Sequence, residues 1–388
     1  MSRLHSELSS LSTQRSTPGG STGPNRRPLP SVCFAPYAED NPYQRKLADA
    51  IRRQGWLVTT RTPAERLGGF VRENSGERRK CDLLHMHWLP KFGFNRLIES
   101  FSAHTVQFLR LRRMGYPWVW TVHDLYDPEA RWRSVDRMLA RLVFHGARSV
   151  LVHSRAAAET VCREFGASDR SKVHVVPHAN YIGTYPNNLS RGEARAALSL
   201  PENARVFLFF GAIRRYKGVP DLIDAFRRLP HADARLVIAG KPWDTALHRE
   251  IAATTARDRR IQIHAEFVPD DKVQVYLNAC DAVVLPYRDY LTSGAVVLAM
   301  SFARACIVPA RGSMAEALGP EGGLFYDPDQ PDALHEALAR ACTEHERLAS
   351  IGRLNHETAA RWGWDEMAAA TIKAYQAALC ATTGDPLA

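Results

Sequence analysis

From position 31 onward the apolar residues alternate between two patterns. SVCFAPY, WLVTT, CDLLHMHW, WVWTVHD, SVLVHS and KVHVVPH are short, nearly unbroken apolar runs and read as buried strands. Between them apolar residues recur at helical spacing. Helices are predicted over 41–55, where Asn41 is the N-cap and Pro42 the first helical residue, over 95–114, roughly over 131–144, and up to 165. Strands apolar on both faces, alternating with helices, imply a parallel sheet covered on both sides. The stretch 181–203 is rich in turn formers and holds one short helical piece, after which the alternation restarts. RVFLFFG, ARLVIAG, IQIHAEF, DAVVLPY, CIVPA and GGLFYD are the second set of strands, with helices over 219–229, 244–256, 270–279 and 294–303. The predicted fold is α/β: two Rossmann-like doubly wound domains, over 31–185 and 186–363, facing across a cleft. A last segment, 364–388, carries apolar residues at helical spacing to 379 and is expected to cross back to the first domain. Residues 1–30 are rich in Ser, Thr, Pro, Gly and Arg and are expected to be a disordered tail.

Composition narrows the partners. The 388 residues are 45% hydrophobic, enough for two cores, and 51 Lys and Arg against 41 Asp and Glu give a net charge of +10. That excess suits an anionic partner: a phosphate, an acidic membrane surface or nucleic acid. Nucleic acid is disfavoured, because the basic residues are spread over helices and loops with no recognition module. Seven scattered cysteines, never in CxxC, read as reduced core thiols of a cytoplasmic protein. No run is long and apolar enough to span a bilayer, so a soluble protein is expected.

In open parallel sheets ligands bind beyond the carboxyl ends of the strands. Four such ends carry polar residues: His87-Trp88, His123-Asp124, Gly211 through Lys217, and Tyr287 through Gly294. In FFGAIRRYKG, Gly211 ends the strand and lets a ligand approach, Arg214 and Lys217 reach toward it, and Gly218 opens the next helix, whose amides attract anions. A diphosphate suits this turn; solvated loop charge is the alternative. Thr292, Ser293 and Gly294 stand where another helix starts, as a second anion cradle or as an ordinary N-cap. His85 and His87 share one face of a strand, packed or ligating, but no further metal ligands are placed beside them. The DPD at 327–329 falls in a turn.

FFGAIRRYKGVPDLIDAF, ARLVIAGK, FVPDDKVQVYLNACDAVVLPYRDYLTSGAVVLAMSFARACIVP and TVHDLYD together resemble the GT-B glycosyltransferases, in particular the large family numbered four. The resemblance runs from position 31 onward and implies that Gly211, Arg214, Lys217, Thr292, Ser293 and Gly294 hold the diphosphate of a nucleotide-sugar donor. It implies no cofactor or metal beyond that donor. Members usually carry two glutamates seven residues apart, facing donor sugar and ribose. Here the second slot is Leu298, and the first falls at Asp289 or Tyr290, which leaves Asp289 as the candidate for sugar contact. NPYQRKLADAI and LTSG resemble the bacterial GDP-mannose β-mannosyltransferases of exopolysaccharide assembly. The likeness implies a GDP-sugar ahead of a UDP-sugar, mannose as the hexose, and a lipid-linked oligosaccharide or other glycan as acceptor, with Asn41, Tyr43 and His87 on the acceptor side.

His123 matches the family histidine of TVHD. In an inverting enzyme His123 or Asp124 is the candidate base; in a retaining one His123 would hold the donor sugar. The helices at 95–113 and 131–141 mix apolar residues with Arg110, Arg112, Arg113, Arg131, Arg133, Arg137 and Arg141, which suits either core packing or peripheral contact with anionic lipid on the inner face of a membrane. Other readings on the same scaffold are glycosylation of a soluble natural product, a sugar-nucleotide epimerase and a non-catalytic nucleotide-sugar-binding protein.

Overall fold

The computed structural model describes residues 29–62, 67–76, 79–89, 97–126, 129, 132–167 and 169–383. Most of the expected tail (1–28), the helix start at Asn95, Arg131 and residues 384–388 lie outside the described residues.

Twelve strands form two sheets. The first holds β1 (Ser31–Phe34), β2 (Leu57–Thr60), β3 (Leu83–Met86), β4 (Trp118–Thr121), β5 (Ser149–Val152) and β6 (Val173–Val175), in the order β2-β1-β3-β4-β5-β6. The second holds β7 (Arg205–Phe210), β8 (Ala234–Ala239), β9 (Ile261–His264), β10 (Ala282–Val284), β11 (Ala305–Pro309) and β12 (Gly323–Tyr326), in the order β12-β11-β10-β7-β8-β9. Every pairing is parallel. The central strands β3, β4, β5 and β11 are buried along their whole length, whereas β2 and β6 at the edges are partly open. This is why the inner strands read as continuous apolar runs. Because the strands are parallel, all their carboxyl ends in one sheet lie on one edge.

The helix Pro42–Arg53 begins as its sequence dictates. Asn41 Oδ1 accepts the Tyr43 N–H at 2.9 Å, and Pro42 needs no partner for a missing N–H. Ser154 caps Arg155–Phe165 in the same way through the Ala157 N–H, and that helix ends on Gly166 in the left-handed region. The final helix, Trp364–Thr383, lies against the first domain, where Met367, Ile372, Tyr375 and Ala378 share an apolar cluster with Leu47, Ile51, Leu83 and Val119. Tyr375 and His85 Nδ1 are 2.6 Å apart, and Ser149 Oγ donates to the Ala374 carbonyl at 3.0 Å.

A carboxylate clips the two domains together just past the end of β5. Glu316, in the second-domain helix Gly312–Leu318, accepts the Arg155 and Ala156 N–H groups, each at 2.8 Å, at the start of the first-domain helix. A charge there complements the helix dipole. Six of the seven cysteines are buried, and all are free thiols. Among the described residues no helix is long and apolar enough to cross a membrane.

Candidate active site

The second domain brings the cationic turn to the mouth of β7. Gly211 (φ +120) and Gly240 (φ +149) touch across the ends of β7 and β8: a Cβ on Gly240 would lie 2.0 Å from the Gly211 carbonyl oxygen. Only glycine fits there. The extended ends stay bonded, Ile213 N–H to Lys241 O and Trp243 N–H to Ile213 O, both 2.9 Å, which fixes Trp243 beside the turn. The Arg214 guanidinium stacks on the Trp243 ring, 3.8 Å from its centroid, although the indole is itself 59% exposed. Arg214 Nε is 3.6 Å from Glu129 Oε2, and Glu129 Oε1 accepts the Arg215 N–H at 2.8 Å, so a first-domain carboxylate reaches across the cleft. Lys217 folds back toward Gly211, with Nζ 5.3 Å from the Tyr287 ring centroid. Burial pushes its ammonium down to about 8; Arg214 adds to that shift, and the charges of Asp124 and Glu129 oppose it.

The second anion-binding segment lies beside this turn. Arg288 N–H donates to the Tyr216 carbonyl at 2.8 Å, and the Arg288 guanidinium forks onto Asp221. Gly218 (φ +70) lets the backbones meet, since a Cβ there would sit 2.1 Å from the Pro286 carbonyl oxygen. Gly218 stands at the N-cap position of the next helix, as its place in the sequence predicts. Asp221 sits in the first turn of that helix, Val219–Arg227, and pairs with Arg288, so the helix start already has its own negative charge. The start of Gly294–Ser301 differs. Ser293 stands at the N-cap position but makes no capping bond, which removes the ordinary-cap reading for Ser293. Its Oγ is buried beside Tyr287 without a well-formed hydrogen bond. A Cβ on Gly294 would meet only Tyr181 Oη (3.6 Å) and His178 Nε2 (3.8 Å) at ordinary contact distances. Thr292 is half-buried next to it, and Asp289 is exposed. Tyr290 turns its hydroxyl to the Arg311 carbonyl, and Leu298 is buried in the core.

The first domain meets this face with histidines. His87, His123, His153 and His178 follow the ends of β3, β4, β5 and β6, and neighbouring rings are 5.6, 5.5 and 5.2 Å apart in that order. Tyr43 lies at their centre, 4.9 to 5.8 Å from all four rings. His153 Nδ1 is 2.8 Å from the Val176 carbonyl and must donate to it, so its Nε2 accepts from the Tyr43 hydroxyl at 3.2 Å. By the same reasoning His178 Nδ1 donates to Ala179 O at 2.7 Å, and its Nε2 faces the Tyr181 hydroxyl at 3.5 Å. His123 is half-buried, stacked on Trp88 at 5.0 Å, with Nε2 3.4 Å from His87 Nδ1. Asp124 beside it is exposed, while His87 and Tyr43 are buried and Asn41 is occupied as a helix cap. Desolvation holds His87 and His123 well below the usual imidazole range and lowers His153 to about 4 and His85 and His178 to about 3. The row is therefore neutral at pH 7, a polar but uncharged floor. His153 and His178 are absent from the sequence-level site, although VHS and VPH repeat the strand-then-histidine signal of HMHW and TVHD. Among the described residues no three His, Cys, Asp or Glu side chains are grouped to hold a metal ion.

Two family models match the chain, one on each domain: Glycosyltransferase Family 4 over residues 32–179 and Glycosyl transferases group 1 over residues 190–357. A GDP-mannose:glycolipid 4-beta-D-mannosyltransferase of Xanthomonas campestris pv. campestris is 26% identical over 77% of this chain and 79% of that protein. Among solved structures, a sucrose-phosphate synthase from Thermosynechococcus elongatus superposes with a TM-score of 0.73 at 17% identity, covering 91% of this chain and all of that one. HepE of Anabaena, solved with UDP and glucose, gives 0.70 at 16% identity over 90% of this chain and 99% of its own. The paired sheets, the facing strand ends and these matches agree, and the chain belongs to the GT-B glycosyltransferases.

Proposed function

We propose that this glycosyltransferase moves a hexose, mannose in the first place, from a GDP-sugar to a lipid-linked oligosaccharide or similar glycan. The observation that carries the reading is the adjacency of the Arg214–Lys217 turn and the Ser293–Gly294 helix entrance, joined by the bond from Arg288 to Tyr216. Two cations and a helix entrance with no side-chain cap suit a nucleoside diphosphate, both as bound donor and as leaving group. The likeness to a GDP-mannose:glycolipid transferase supports the base, the sugar and the acceptor class. In this reading His123 and Asp124 face the acceptor hydroxyl, and Asp289 the donor sugar.

The acceptor class also fits the outer surface of the first domain. Val106 and Leu109 on Leu97–Arg113, with Trp132 and Met138 at Arg133–Gly146, are exposed beside Arg110, Arg113, Arg133 and Arg141. Apolar side chains set among arginines suit an anionic bilayer. Phe108 and Leu111 on the same helix are core residues, so only part of its apolar content is available for that contact.

The test begins with thermal shifts against GDP, UDP and ADP. GDP should raise the melting temperature most, and Arg214→Ala and Lys217→Ala should each abolish the rise while the unliganded transition stays in place. Radiolabelled GDP-mannose should then label an acceptor lipid, faster in anionic than in neutral vesicles. A larger shift with UDP would move the donor toward UDP-sugars, and a full GDP shift in both variants would remove the turn from the donor site.

A further inference from the structure

The turn assigned to the donor diphosphate already holds an anion. Glu129 Oε1 accepts the Arg215 N–H at 2.8 Å, and Glu129 Oε2 lies 3.6 Å from Arg214 Nε, with the two side chains only 20% and 10% exposed. Its charge also acts on Lys217, against the burial that lowers that ammonium. One backbone N–H bonded to a pair of anionic oxygens, with a guanidinium beside them, is what a phosphate group would ask of the same turn. The carboxylate comes from the first domain, five residues beyond Asp124 in the segment that follows β4.

We propose that Glu129 sets the affinity of the donor site, as an internal carboxylate that holds the phosphate position of the cationic turn until a diphosphate displaces it. The proposal rests on the assignment of this turn to the donor. Glu129 and the phosphates cannot share the Arg215 N–H, and two anions close together in a cleft repel each other. Apparent donor affinity is therefore reduced by the fraction of time the carboxylate holds the turn.

Calorimetric titration of GDP and of inorganic pyrophosphate into the wild type, Glu129→Gln and Glu129→Ala tests this. Glu129→Gln keeps the side chain's length and an oxygen for the Arg215 N–H while removing the charge. Both ligands should bind it roughly three- to tenfold more tightly than the wild type, and guanosine, which has no phosphate, should show no gain. Unchanged or weaker binding of GDP and pyrophosphate to Glu129→Gln, with its unliganded melting transition preserved, would overturn the proposal and make Glu129 a clasp that organises the turn. If Glu129→Ala fails to fold, the glutamine variant decides alone. Pyrophosphate binding that Arg214→Ala abolishes and Glu129→Gln leaves untouched would remove this inference and keep the donor site; a wild type that binds no nucleoside diphosphate would remove both.

Discussion

Lys217 shows how a single side chain can be tuned by where its neighbours lie. Burial lowers its ammonium to about 8, Arg214 pushes the same way, and Asp124 and Glu129 oppose. Of the phenols that face it, Tyr216 is raised to about 12 and Tyr287 higher still, both by burial, so neither titrates near neutrality. Lys217 is thus cationic below about 8 and neutral above it, and diphosphate affinity should weaken as pH rises through that value. The Kd for GDP should increase roughly tenfold between about pH 7.5 and 9.5. A Lys217→Arg variant, whose guanidinium keeps its charge, should give a flatter profile and also cancels the ligand's own titration. Parallel profiles for the two proteins would mean that Lys217 does not touch the phosphates. At this scale Arg214, Lys217 and Ser293 were legible in the sequence because a glycine-bounded cationic turn and a polar helix start each carry a local signal. Glu129 and Trp243 were not, because each acts on Arg214 from a distant part of the chain.

Elements were legible to the degree that their signals were local. The capped helix at 42–53 and the buried runs of β3, β4, β5 and β11 appear where spacing and caps place them. The helices Leu67–Glu73, Gly312–Leu318, Ala333–Thr343 and His345–Ala360 went unmarked. Two are only seven residues long, and in the last two alanine and charge dilute the apolar stripe. The joint between the turn and β10 depends on Gly218, whose positive φ and contact with Pro286 exclude any Cβ. Gly218→Ala should cost roughly 2 kcal/mol or more of stability and abolish the GDP shift. Gly166→Ala, which meets the same kind of φ but open space, should cost about 1 kcal/mol and leave GDP binding intact. Denaturant titration of both variants checks this; equal costs would show that the Pro286 contact yields at no expense.

Over the whole molecule, the histidine row links the cleft floor to stability. In the folded protein His85, His87, His123, His153 and His178 stay neutral well below their ordinary value of 6.5, because burial penalises the charged form. The unfolded chain binds those protons first, so the associated stability is present above about pH 6.5 and is lost as pH falls toward 4. The loss should be roughly 1 kcal/mol per histidine by about pH 5.5. Calorimetry should show a melting temperature that is level near neutrality and falls steeply below about pH 6.5; a level profile down to about pH 4.5 would mean that the imidazoles titrate freely. The sequence by itself determined that two parallel, helix-covered sheets form and that polar residues stand at their strand ends, because strand periodicity, helix caps and glycine-bounded turns are written within a few consecutive residues. Only the tertiary structure decided that four histidines from four strands make one neutral row, that the Asp221 carboxylate in the first turn behind Gly218 pairs with Arg288, and that Glu129 and Glu316 reach from one domain to the other. Those pairings depend on where distant segments come to rest, and coulombic and hydrogen-bond partners a hundred residues apart leave no mark on the spacing of either segment.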